Sequence, residues 1–181
     1  MELNHAEQKI ALQIARKSLE AHFAGQNYIP ETNGLNIFSE TRGVFVTLHR
    51  QGELRGCIGN FEPSQPLSKN IESMTLAAAL EDNRFNPLTI DELSEIDIEI
   101  SVLSPMRKIF SADEIELGKH GVYFKQGKRS GVFLPQVAEE TGWDKETFLN
   151  ALCVEKAGLD PYCWRDPKTE IFIFTAQVFE E

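Results

Sequence analysis

The chain has 181 residues, enough to bury one substantial core or a core divided between two lobes. Hydrophobic residues at 41% and charged residues at 25% are ordinary for a globular protein, and no apolar run is long enough to cross a bilayer. Eighteen Lys and Arg against 28 Asp and Glu leave a net charge of −10, which argues against a nucleic-acid phosphate backbone as the main partner.

The first residues, MELNHAEQK, are polar and lack the apolar stretch of a secretory signal, so a cytoplasmic protein is expected. Asn4 and Glu7 have capping-box spacing and open a predicted helix through Phe23. Leu12, Ala15, Leu19 and Phe23 form its apolar stripe, and Gly25 is its stop. After a turn-rich connector over 30–39, residues 44–48 and 54–58 read as two strands of a hairpin. Ser64 is the expected cap of a second helix, with Pro66 in its first turn and Leu67, Ile71, Met74 and Ala78 inward; EDNRFNP ends it.

Residues 97–103 alternate acid or serine with Ile98, Ile100 and Val102, the mark of a half-buried strand. A short helix is expected from Ser111, with Glu114 at the reciprocal capping position and Gly118 as its end. Residues 121–125 and 131–135 flank a second hairpin loop, QGKRS. Residues 144–156 read as a helix with Phe148, Leu149 and Leu152 inward and Gly158 at its close. IFIFTAQVF, 171–179, reads as one interior strand. Strand pairs and helices without regular βαβ alternation predict an α+β fold.

The stretch ELRGCIGN, 53–60, raises the chemical question. A three-residue loop of Arg50, Gln51 and Gly52 would pair His49 with Glu53, Thr47 with Arg55 and Phe45 with Cys57. One face then carries Val44, Val46, Leu48, Leu54, Gly56 and Ile58, and the other carries His49, Glu53, Arg55, Cys57 and Gly59. A two-residue loop of Gln51 and Gly52 would put Cys57 opposite Val46 and mix the faces, so the three-residue loop is the expected one.

On this reading Cys57 is a candidate nucleophile, with Arg55 about 6.5–7 Å along the strand as a positive neighbour that favours the thiolate. Gly56 and Gly59 either open the backbone to a ligand or admit close packing. A ligand-lining cysteine and a simply packed one are the competing readings. His49, and His120 at the start of a later strand, are candidate proton carriers. Arg84 could bind an anion or pair with Glu81 or Asp82, the latter being the better account. Cys153 is expected in a helix core, Cys163 in a more exposed loop, and all three cysteines as free thiols. Without CxxC, HExxH or a spaced Cys/His cluster, no metal site is indicated; GxxxxGK, GxSxG and GxGxxG are also absent.

LRGCIG, 54–59, together with AAALEDNRFNPL, EISVLSP, KHGVYF and GVFLPQVAEETGWD in that order, resembles the AMMECR family, whose hallmark is LRGCIG. The resemblance runs from about residue 43 to 179. Where the family often has Asp-Pro-Arg-Phe, this chain has Asp82-Asn83-Arg84-Phe85. The resemblance implies two unequal lobes, mainly antiparallel sheets with helices packed on them. The larger lobe would hold both termini, and a groove would lie between the two. It also implies that LRGCIG belongs to the functional site. The chain is further similar to protein A of the AmmeMemoRadiSam system, which implies Memo-like and radical SAM proteins as partners. Neither the residues nor the resemblance identifies a cofactor or a reaction.

Overall fold

The structure is a computed structural model and describes residues 2–181. It is α+β, and its internal contacts divide it into two compact units, 1–103 with 177–181 and 104–176. Among the described residues, no helix is long and apolar enough to cross a membrane.

The first unit opens with helix α1, His5–Phe23, whose capping box forms as expected: Asn4 accepts from the backbone of Ala6 and Glu7, and Glu7 accepts from Asn4 N. Gly25, at φ 66°, follows its end. Its buried face is Ala11, Ile14, Ala15, Ser18 and Leu19, so the stripe is rotated from the expected one and leaves Leu12 and Phe23 at its margin. Strands β1 (Val44–Arg50) and β2 (Glu53–Asn60) follow, then helix α2 (Leu67–Leu80) and strand β3 (Ile96–Leu103). With the last strand, β8 (Ala176–Glu180), they form a sheet in the order β2-β1-β3-β8. Val44, Val46, Leu48, Ile98 and Ile100 are buried with Ile14, Leu19, Leu67 and Ile71 of the helices in one core. Helix α2 starts at Leu67 with Pro66 in the cap position, and Ser64 caps nothing. Leu67 N, the first of the donors a cap would serve, is taken instead by Glu40 O at 2.8 Å.

The hairpin departs from the expected register. Arg50 pairs with Glu53 and His49 with Leu54, around a two-residue loop of Gln51 (φ 54°) and Gly52 (φ 80°). Positive φ at both residues is the loop whose twist matches paired strands. Beyond it the ladder shifts: Leu48 pairs with Gly56, Thr47 with Cys57 and Val46 with Ile58, leaving Arg55 as a bulge. Glu53, Arg55 and Cys57 therefore do not pair with His49, Thr47 and Phe45. The bulge reconciles two demands that pattern and turn chemistry set against each other. The tight loop fits the strand twist, and the extra residue restores the parity that keeps Gly56 and Ile58 on the face of Val46 and Leu48. Leu54, expected on that apolar face, pairs with His49 instead and is exposed.

The second unit is built on β4 (Arg107–Ile109), β5 (Gly121–Gln126), β6 (Arg129–Phe133) and β7 (Glu170–Phe174), in the order β4-β7-β5-β6. Helices α3 (Gln136–Thr141) and α4 (Lys145–Ala151) complete it. Val122, Phe124, Phe133, Phe148, Leu149, Leu152 and Ile173 form its core. The turn after Ser111 is a single 3-10 turn, Ala112–Glu114, and α3 is a helix that the periodicity does not reveal. Helix α4, capped by Asp144, widens into a π-turn over Leu152–Lys156 before Gly158.

Two expectations are corrected in this unit. Cys153 and Cys163 are joined as a disulfide, with Cα atoms 5.8 Å apart, and both are buried. The π-turn and the 3-10 turn Cys163–Arg165 bring together residues that spacing alone leaves apart. Second, 171–179 is not one strand. At Thr175 the chain leaves the ladder, with Ser104 N donating to Thr175 O and Thr175 N to Ser104 Oγ, both at 2.9 Å. The halves on either side belong to different sheets.

Candidate functional site

Gly56 explains which way Cys57 faces. A Cβ at Gly56 would collide with the Ala78 carbonyl oxygen, so this residue lies against the backbone of α2. Alternation then turns Cys57 to the opposite, outer face. There it stands opposite Thr47, which pairs on its other side with Glu99; His49, two residues along β1, stands between Leu54 and Asp97. Cys57 is half-buried and is the free cysteine of the chain. The Thr47 hydroxyl donates to its sulfur at 3.4 Å. Gly59 on this same face accommodates the Phe45 ring, which a Cβ would overlap.

β2 is an edge strand, and its exposed backbone at Cys57 is closed by the EDNRF turn that follows α2. Cys57 N donates to Asp82 Oδ2 at 2.9 Å, and the Arg84 guanidinium reaches Cys57 O at 3.4 Å. Arg84 also holds Asp82 through Nε (2.9 Å) and Nη2 (2.7 Å). This carboxylate and guanidinium thus engage the donor and acceptor that a neighbouring strand would otherwise take. The side-chain bonds from Arg84 and the backbone N–H of Cys57 hold the Asp82 carboxyl well below the usual carboxylate range, against the opposing effect of burial.

The bulge turns Arg55 onto Glu92 rather than leaving its charge to the thiol. Nε and Nη2 contact the two carboxylate oxygens at 2.9 and 3.1 Å, with each side chain about 15% exposed or less. Glu92 also accepts from Thr89 N and Oγ1 and from Arg50. The bonds from Arg55 lead those that lower its carboxyl from the ordinary 4.5 to about 2. Phe85 lies under both guanidiniums, 5.9 Å from Arg55 and 5.5 Å from Arg84. Glu92 is a site residue that the sequence pattern does not single out, although Thr89-x-x-Glu92 carries the capping-box spacing that explains its position.

His120 belongs to the second unit. It is buried, its Nδ1 accepts from Glu116 N at 3.1 Å, and burial pushes its pKa down. The neutral ring therefore carries its proton on Nε2. The outer face of the first sheet thus unites Cys57, Thr47 and His49, with Asp82 and Arg84 at its edge and Arg55 paired beside them. No cluster of three or more His, Cys, Asp or Glu suited to a metal occurs among the described residues.

Both depressed carboxylates stabilise the fold when ionised. Their contribution is present above the ordinary carboxylate pKa and is lost as pH falls through the folded value. For Glu92 that window runs from 4.5 down to about 2. The urea midpoint is therefore expected to hold from pH 7 to about 5 and then to fall, with a shallower fall in Glu92→Gln. Equal slopes in the two proteins would mean that the Arg55 pair does not stabilise the fold.

The AMMECR1 family model matches residues 12–179. A protein of Methanothermobacter thermautotrophicus is 41% identical, with 99% of this chain and 96% of that protein covered. Protein MK0488 of Methanopyrus kandleri is 42% identical over 97% of this chain and 88% of its own length. The crystal structure of uncharacterized protein PH0010 from Pyrococcus horikoshii matches with a TM-score of 0.84 at 35% identity, covering 100% of this chain and 94% of that one. By sequence along nearly its whole length, and by fold, the chain belongs to the AMMECR1 family.

Proposed function

We propose that the chain is a component of an enzyme system and that the outer face around Cys57 is its small-ligand site. Cys57 is the atom-donating contact in this reading. Its sulfur adds to the electrophilic carbon of a carbonyl or conjugated double bond, whose π pair moves to the far atom, while the thiol proton passes to His49 on the same face and from there to that atom. The observation that carries the reading is a half-buried free cysteine on a backbone held at both N–H and C=O, with a hydroxyl donating to the sulfur. A thiol that merely fills space needs none of these. Gly56 and Gly59 contribute through packing. Arg84 fixes the strand and keeps half its side chain open to an anionic group of the ligand. His120, on the second unit and with Nδ1 occupied, takes no step in this reading. Memo-like and radical SAM proteins are the proposed partners in a cytoplasmic setting, and pull-down from the native host tests them directly.

A second reading is a binding module without turnover. The pairing of Arg55 with Glu92 favours it, because this engages the cation two residues along the strand with a carboxylate instead of the thiol. Iodoacetamide at pH 7, followed by mass spectrometry, separates reactive from inert. Cys57 alone is expected to be labelled in the native protein, more slowly in Thr47→Val and His49→Asn, and nearly unchanged in Arg55→Ala. Denaturation with reductant should expose all three cysteines. Protection of Cys57 until unfolding would end the covalent reading and leave the binding module.

A further inference from the structure

The second unit holds a sulfur pair that plays no part in the chemistry at Cys57. Cys153 lies in the π-turn that closes α4, Cys163 in the 3-10 turn Cys163–Arg165, and their disulfide spans ten positions of chain. Up to Ala157 this chain is fixed by packing, since the Ala157 nitrogen lies 2.5 Å from where a Cβ on Gly131 would stand. Past it the chain turns at Gly158, φ 61°, and Asp160, Pro161 and Tyr162 are exposed. Besides the disulfide, Asn150 anchors the far end: its Oδ1 accepts from Tyr162 N at 3.1 Å and from Trp164 Nε1 at 2.9 Å. Tyr162 has φ 63°, a left-handed conformation that a bulky side chain rarely adopts. Such backbone persists where its surroundings impose it, and the covalent bond at the next residue does so here. The closed turn presents a stacked surface, with the Arg165 guanidinium 4.8 Å from the Tyr162 ring and 4.5 Å from that of Trp164.

We infer that Cys153–Cys163 is a redox latch on this surface, opened by a dithiol and closed again by a disulfide. Local opening of the exposed segment 158–162 gives a thiolate access to Cys163, the less buried of the two. The attacking sulfur bonds to Cys163 Sγ, the S–S bond breaks, and Cys153 leaves as a thiolate that takes a proton. The second thiol of the reductant then displaces Cys163 from the mixed disulfide. Two electrons and two protons thus pass to the protein, and the reductant departs as a disulfide. Reclosure is the same exchange in reverse. Phe148, Leu149 and Leu152 stay in the core throughout, because they are packed with Val122, Phe124 and Phe133 by apolar contact. Reduction therefore frees the turn and its stack without unfolding the unit.

Dithiothreitol at pH 8 without denaturant tests this on the full chain, with alkylation and mass spectrometry counting the freed thiols. Both cysteines are expected to be reduced in the folded protein, and oxidised glutathione should restore the bond once the reductant is removed. Amide exchange of the two forms then locates the effect. Peptides covering 158–165 should exchange at least about tenfold faster after reduction, and those covering 121–126 within about twofold of the oxidised rate. Cys163→Ala should show the faster exchange with and without dithiothreitol, which separates loss of the bond from any other action of the reductant. Should that variant not fold, the reduced native chain still decides. A pair that resists dithiothreitol until the protein is denatured is a fixed staple and overturns the latch. So would unchanged exchange over 158–165 on reduction, equal acceleration over 121–126, or failure of the bond to re-form.

Discussion

Replacing Gly56 by alanine is expected to destabilise the protein by about 3 kcal/mol, near the upper end for an overpacked core. The new Cβ would meet the carbonyl oxygen of Ala78, with the carbonyl carbon 3.2 Å away. Both atoms belong to the backbone of α2, so no flexible side chain can swing aside. Helix and edge strand must separate, and the sheet face carrying Val46 and Leu48 loses contact with them. At about 2–4 °C per kcal/mol for a chain of this size, the melting temperature should fall by about 6–12 °C. Gly52→Ala is the matched comparison. That residue has open space around it and only its φ of 80° to lose, so about 1 kcal/mol is expected. Calorimetry or urea unfolding of the two variants tests the difference. If both lose the same small amount, Gly56 is not a packing residue, and its place in LRGCIG would have to be explained by a ligand.

Asp82→Ala is expected to cost about 2–3 kcal/mol, mostly through the backbone N–H of Cys57 that it leaves without an acceptor. Arg84 is half-exposed and can be rehydrated, so the loss should stop short of that for a fully buried ion pair. Asp82→Asn keeps an acceptor for Cys57 N and should lose about half as much. Combining Asp82→Ala with Arg84→Ala should cost less than the sum of the two single changes, because the residues act on each other. Urea unfolding measures stability, and amide exchange at Cys57 reads the edge directly. Exchange at Cys57 should quicken in Asp82→Ala even under strongly native conditions, where global unfolding is rare. Unchanged exchange there would mean that the strand edge is held by something other than this turn.

Whatever depends on residues close in the chain is legible in the amino-acid sequence itself. The capping box of α1, the glycine that follows it and the pairing of Arg84 with Asp82 involve partners within four residues, where backbone geometry leaves few alternatives. The alternation in β3 likewise announces its buried face. The order of motifs is enough to suggest the family.

The tertiary structure decides what joins distant segments. Nothing in 53–60 announces that Glu92, 37 residues after Arg55, will take its guanidinium, or that Asp82 will close the strand edge at Cys57. Composition favours free thiols, yet a π-turn and a 3-10 turn put Cys153 within bonding distance of Cys163. The last apolar run looks like one strand because both halves are apolar, and only their separate sheets divide them at Thr175. The hairpin requires both levels. Local chemistry favours positive φ at Gly52, and the helix pressed against Gly56 demands a particular face, so Arg55 is inserted as a bulge that satisfies both. Sequence determines the elements here because capping and alternation are local energies. Only the fold determines the partners of Cys57 and Arg55, because a side chain's partner depends on which distant backbone is packed beside it.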